Sequence, residues 1–235
     1  MQPKVAEGQR PESSKLPIQV GRAVWSNLPL LLVMDAALFV GAIPAIALFF
    51  GGGSVLAPLV GALTLGPLWA GTVATTDRMI RDEAAGMRTF AENTLRYAGQ
   101  GVVVALVPAI ILTSMLGTLA ILDVRPDERW MLALLLVDGT MLTLAFLAGL
   151  SVFSLATTGG LSGWTLWRAS LETVVVGPVT TLGTVALLIL LGFLVSWAPG
   201  FLPVLPAPLA VYLSAATWAT VGRWRERLGK DGDPE

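Results

Sequence analysis

Six long apolar runs frame this chain, at about 28–50, 55–76, 101–122, 130–156, 173–197 and 201–221. Each holds the ~20 mainly apolar residues that a helix needs to cross a bilayer's hydrocarbon core. Gly51, Gly52, Gly53 and Ser54 separate the first run from the second, and a Pro-rich turn near Pro199 separates the fifth from the sixth. Neither turn carries a charge. The segments on the other side carry Lys4, Arg10, Lys15 and Arg22, then Arg78, Arg81, Arg88 and Arg96, then Arg168, and finally Arg223, Arg225, Arg227 and Lys230. The two remaining cations, Arg125 and Arg129, sit in a short loop with Asp123, Asp127 and Glu128. Basic residues concentrate on the cytoplasmic side of membrane proteins. The pattern therefore predicts an all-α bundle of six transmembrane helices with both termini cytoplasmic, in a bacterial inner membrane. The expected division is a flexible tail at 1–22, a transmembrane domain at 23–222 and a second tail at 223–235.

Tryptophan placement agrees with this frame. Trp25, Trp130, Trp164, Trp167, Trp197 and Trp224 fall at or just beyond the expected span ends, where amphipathic rings prefer to lie. Trp69 and Trp218 fall deeper and are expected to pack between helices. Composition adds exclusions. Apolar residues make up 54% of the chain and charged residues 13%, about half of what a soluble domain carries. With no Cys and no His, thiolate chemistry, disulfides and imidazole–metal sites are excluded. A net charge of −1 gives no bulk attraction to nucleic acid. No metal site, cofactor or catalytic residue is expected, and neither is an enzyme: intramembrane catalysis here would lack His, Cys and a paired acid and base.

Two acids, Asp35 and Asp138, fall well inside the expected spans. A carboxylate in lipid is costly, by ~3 kcal/mol or more, so such residues face a bundle interior and mark sites worth testing. Neither has a Lys or Arg partner within a span, which predicts hydrogen bonds to neighbouring helices. Asp35 lies about two turns from the cytoplasmic end of the first span, and Asp138 about two turns from the external end of the fourth. They are therefore expected at different depths, not as a coupled pair. Each has two readings, a proton, cation or ligand contact on one side and a structural hydrogen bond on the other.

The segment 77–100 is expected to form an amphipathic helix on the cytoplasmic membrane surface. Met87, Phe90, Ala91, Thr94, Leu95 and Ala98 recur on one face, and Arg88, Glu92 and Arg96 on another, with Glu92 and Arg96 in the order that favours a helix pair. The helix either rests on lipid headgroups or docks a partner through Met87, Arg88, Phe90, Glu92 and Arg96. Glu83-Ala84-Ala85 is similar to the start of the coupling loop of ABC importer permeases, but Gly86 follows at once and no Pro appears before Pro108, so the loop pattern departs from theirs. Small residues recur at steps of four (Ala37, Gly41, Ala45; Gly101, Ala105, Ala109; Ala145, Gly149), which lets helices approach closely. The run Gly66-Pro67 to Ala74 loosely echoes Gly177-Pro178 to Ala186, the kind of echo that an inverted repeat of three-helix halves leaves.

Asn27-Leu28-Pro29-Leu30 at the first span, Gly66-Pro67 in the second, the segment 76–100 with Arg78, Phe90 and Asn93, and Leu166-Trp167-Arg168-Ala169-Ser170 before the fifth carry a resemblance. By these the chain resembles the YesL-like family of bacterial integral membrane proteins, over most of its length. One departure stands out: Pro44 and Gly66 are widely separated, as if a stretch around Gly51–Gly53 had been inserted. The resemblance implies a non-enzymatic accessory or scaffold subunit, with carbohydrate ABC importer subunits as the candidate partners beside the lipid bilayer. It carries over no catalytic or binding residue. The alternative is a small secondary transporter using Asp35 or Asp138.

Overall fold

The computed structural model of the chain describes residues 16–230 apart from 82, 126, 129 and 158. Lys4, Arg10, Lys15, Arg129 and the tail ends at 1–15 and 231–235 lie outside the described residues. Apolar runs this long can satisfy their backbone in lipid only as helices or closed barrels, and here they are helices: α1 (Leu16–Ser26), α2 (Leu28–Leu48), α3 (Ala57–Ile80), α4 (Met87–Val124), α5 (Trp130–Thr157), α6 (Gly163–Val176), α7 (Pro178–Trp197) and α8 (Pro206–Lys230). No strand occurs among the described residues. Five stretches are long and apolar enough to cross a membrane: Leu28–Gly53, α3, α4, α5 and α7.

The first turn forms where expected. α2 ends in a π-type turn over Phe49–Gly53, and Gly52 has φ of +89°, a conformation that residues with a Cβ rarely adopt. Five boundaries differ from expectation, one of them at the expected second tail, where residues 223–230 continue α8. Residues 16–22, expected in the tail, begin α1, whose Ala23 is buried in a cluster with Leu30, Leu31, Met34, Met79 and Phe90. The segment 77–100 is not one helix: 77–80 close α3, 83–86 are non-helical, and 87–100 open the 38-residue α4. At ~1.5 Å per residue α4 is about 57 Å long, well beyond a hydrocarbon core of ~30 Å. The expected fifth span is split at Gly177, where α6 stops and Pro178 opens α7 because it has no N–H to extend the α6 ladder. A Cβ at Gly177 would stand 2.6 Å from Thr220 Cγ2 of α8, so the joint is shaped by packing. The expected sixth span is likewise split, into a 3-10 turn (Pro199–Val204) and α8.

Helix α8 holds the bundle together. It packs against α1, α2, α3, α5 and α6, and Ala207, Ala210, Val211 and Ser214 are fully buried. Its small and hydroxylic residues suit a helix surrounded by protein, whereas α7, with Thr184 its one buried residue, exposes Val179, Leu182, Ile189 and Phe193. The closest helix pairing is α3 with α4. Gly66 and Gly101 face each other there, and a Cβ on Gly66 would lie 2.8 Å from the Gly101 carbonyl oxygen. Of the expected small-residue stripes, Gly101 and Gly41 serve this internal packing, Gly41 against Leu68 and Leu65, while Gly149 meets nothing within 4 Å. The two Gly-Pro elements sit differently in their helices: Pro67 lies inside α3, and Pro178 is the first residue of α7.

Candidate functional site

Asp35 is 2% exposed and sits where α2 meets the start of α8. The sequence of α8 explains why an acid is there. The first turn of any helix leaves N–H groups without intrahelical partners. In α8 two of the first three residues, Pro206 and Pro208, have no N–H, and Leu209 N–H donates to the Leu205 carbonyl at 3.0 Å. Ala207 N–H remains, and it donates to Asp35 Oδ1 at 2.7 Å. An acid from α2 thus caps α8 across the bundle, accepting a hydrogen bond at the helix end whose N–H groups lack intrahelical partners. The other carboxyl oxygen, Oδ2, is buried with no hydrogen-bond partner among the described residues. Asp35 also lines a cavity of about 470 Å³ between α2, α3 and the α7–α8 turn, together with Phe39, Ile46, Trp69, Leu202 and Pro203.

Asp138 is 8% exposed on α5 and accepts a hydrogen bond from Ser114 Oγ of α4 at 3.0 Å. The helix is unbroken at Gly139. The two intramembrane acids therefore serve different helix pairs, and no hydrogen bond joins them.

A third acid escaped the sequence reading. Asp77, expected at the start of a surface helix, is 1% exposed at the end of α3, where Trp218 Nε1–H of α8 donates to its Oδ1 at 3.1 Å. The Arg81 guanidinium stands 5.4 Å from the centre of the same indole. Around them lies a buried polar column. Thr76 and Ser154 each approach the Ser214 hydroxyl at 3.3 Å, and Asn93 Nδ2 donates to Thr75 Oγ1 at 3.0 Å. Groups like these stay inside only when they are hydrogen-bonded. The sequence signal was the run Thr75-Thr76-Asp77 matched by Ser214 and Trp218, but pairing them needs the fold.

The expected partner-contact residues divide. Phe90 is 8% exposed and belongs to the core beside Met79, so it is not available to a partner. Asn93 is buried as well. Met87 and Leu95 are 63% and 80% exposed. Glu92 pairs with Arg88, at 2.8 Å, instead of with Arg96. The Arg96 guanidinium lies 5.5 Å from the centre of the Tyr97 ring and borders a second cavity, of about 710 Å³, with Gln100, Val103 and Trp167. Gln100 Nε2 donates across to the Leu161 carbonyl at 2.9 Å, which ties α4 to the α5–α6 loop. Among the described residues no group of acids could hold a metal ion.

No protein-family model, no curated protein and no solved structure matches this chain.

Proposed function

We propose that the chain is a non-enzymatic accessory subunit of a bacterial inner-membrane assembly, crossing the bilayer six times with both termini cytoplasmic. In this reading α8 is the sixth crossing and α4 contacts the partner through its Met87 end. The supporting observation is the exposure of Met87 and Leu95 beside Arg88 and Glu92. Apolar side chains that share a helix turn with charges suit a membrane surface or a protein surface, and in this reading a partner covers them. The resemblance to the YesL-like family makes carbohydrate ABC importer subunits the partner of choice. Each embedded acid has a structural task, Asp35 at Ala207 and Asp138 at Ser114, which agrees with a scaffold.

The test is purification of the tagged protein at native expression in mild detergent, with mass spectrometry of what accompanies it. Stoichiometric importer subunits that are lost from a Leu95→Glu variant are the expected result. A protein that purifies alone, or only as a dimer of itself, overturns the accessory reading. A reporter fused after Gly200 should be external; a cytoplasmic reporter there overturns the six-crossing arrangement.

One observation favours a second reading, a small transporter. The unpartnered Oδ2 of Asp35 and the cavity beside it are more than a helix cap requires.

A further inference from the structure

We propose that the cavity between α4 and the α5–α6 loop holds one anionic phospholipid, its phosphate at Arg96 and its chains against Val103 and Trp167. The proposal goes beyond the accessory reading and is independent of it, since Met87 and Leu95 do not line this space. The proposed orientation enters only in naming the cytoplasmic leaflet as the source.

The cavity measures about 710 Å³, within the range of small-molecule sites. Its polarity is graded along α4. Arg96 and Gln100 precede the apolar run that begins at Gly101, and Val103 lies inside that run. At ~1.5 Å per residue Arg96 stands about 7.5 Å along the helix from Gly101. That matches a headgroup layer, which is about 5–8 Å thick on each side of the hydrocarbon core. Val103 stands about 3 Å on the other side of Gly101, where acyl chains begin. The opposite wall is the α5–α6 loop and the first turn of α6. Gly160 and Gly163 turn that loop with φ of +62° and +59°. Gln100 Nε2 holds it to α4 through the Leu161 carbonyl, at 2.9 Å.

The charge in this space has one sign. Arg96 is exposed, and it is the one charged residue among the lining side chains. The acids on the two flanking helices are already engaged: Glu92 with Arg88 at 2.8 Å, and Glu172 with Arg168 at 2.9 Å. Arg96 itself has only the Tyr97 ring, 5.5 Å away, and no ion pair among the described residues. Beside it α6 opens with no side-chain cap from Ser162. The first-turn N–H groups of a helix lack intrahelical partners and attract anions.

Other occupants match one half of the lining each. A cation or an amine finds Arg96 and no acid. A free anion meets Arg96 but leaves Val103 and Trp167 uncovered. A neutral lipid covers the apolar half and leaves the guanidinium without a counter-charge. A zwitterionic headgroup brings a second cation for which no acid is present. An anionic phospholipid satisfies both halves in the order in which α4 presents them, and basic pockets between helices on the cytoplasmic side suit such headgroups.

The experiment is native mass spectrometry of the full-length protein in a non-ionic detergent, titrated with dioleoylphosphatidylglycerol, dioleoylphosphatidylcholine or dioleoylglycerol. The first phosphatidylglycerol should bind about fivefold tighter than phosphatidylcholine, the factor that one arginine supplies at an anionic surface. Arg96→Gln should remove that preference at an unchanged melting temperature, because the side chain is exposed. Arg88→Gln removes the same charge about two turns away, outside the cavity, and should keep the preference. Phosphatidylcholine or dioleoylglycerol binding as tightly as phosphatidylglycerol overturns the proposal. So does an undiminished preference in Arg96→Gln, or an equal loss in Arg88→Gln. Millimolar inorganic phosphate, added as competitor, should leave the lipid bound; displacement by phosphate alone would make the site one for the free anion and overturn the lipid assignment.

Discussion

Replacing Gly66 by alanine tests the close crossing of α3 and α4, because two opposing effects meet there with different signs. Taken alone, Gly→Ala inside a helix is favourable by roughly 0.5–1 kcal/mol, since glycine has more backbone freedom to lose. At Gly66 the new Cβ would stand 2.8 Å from the Gly101 carbonyl oxygen, 3.0 Å from its carbon and 3.1 Å from Ala105 Cβ. Ordinary contact begins at 3.4 Å, so the shortest approach is too close by 3.4 − 2.8 = 0.6 Å. Backbone atoms cannot rotate away, so α3 and α4 must separate along the most extensive helix pairing in the molecule. Overpacking of this kind costs about 1–3 kcal/mol. The expected net effect of Gly66→Ala is therefore destabilisation, by up to roughly 2.5 kcal/mol once the propensity gain is subtracted. Gly149→Ala in α5 is the control: nothing lies within 4 Å of its Cβ, and the propensity term acts by itself. Both variants would be unfolded by SDS in mixed micelles and followed by tryptophan fluorescence. If Gly66→Ala gains as much stability as Gly149→Ala, the close crossing of α3 and α4 is wrong.

Other contacts give sharper local tests with the same assay. Trp218→Phe replaces the indole by a smaller phenyl ring and removes the donor to buried Asp77, and should cost about 1–3 kcal/mol; a loss below about 0.5 kcal/mol would mean that neither the bond nor the lost bulk matters. Ser114→Ala leaves Asp138 without the hydroxyl that meets it at 3.0 Å, and a loss of similar size, about 1–3 kcal/mol, is expected. Arg88→Ala breaks an ion pair whose side chains are 92% and 61% exposed. Its effect on stability should stay within about 0.5 kcal/mol, so a larger loss would point to a role in the fold that the structure does not contain.

The class of this protein was legible from one dimension because lipid imposes a one-dimensional rule. Any crossing segment must be apolar for about 20 residues, and Leu28–Gly53, α3, α4, α5 and α7 all satisfy it. Local backbone chemistry was partly legible: the glycines at 51–53 separate α2 from α3 as expected, whereas Gly177-Pro178, read as interior to one span, divides α6 from α7. Asp35 and Asp138 stood out because a charge in an apolar run is visible without a fold. Partners were not legible, because they lie far apart in the chain. That Asp35 caps Ala207, 172 positions away, is decided only once α8 is seated against α2. That Asp77 is buried is decided only once Trp218 covers it. Phe90 read as one apolar position among several on a surface helix, and the fold turned it inward while leaving Met87 and Leu95 outside. Periodicity defines a helix's apolar face, but which neighbour covers that face, and how much of it, is settled by the packing of the other helices. The sequence by itself therefore determined the solvent of this protein and the material of its helices. The tertiary structure decided which polar groups meet, which small residues touch, and where an acid is left with one oxygen unpaired beside an apolar cavity.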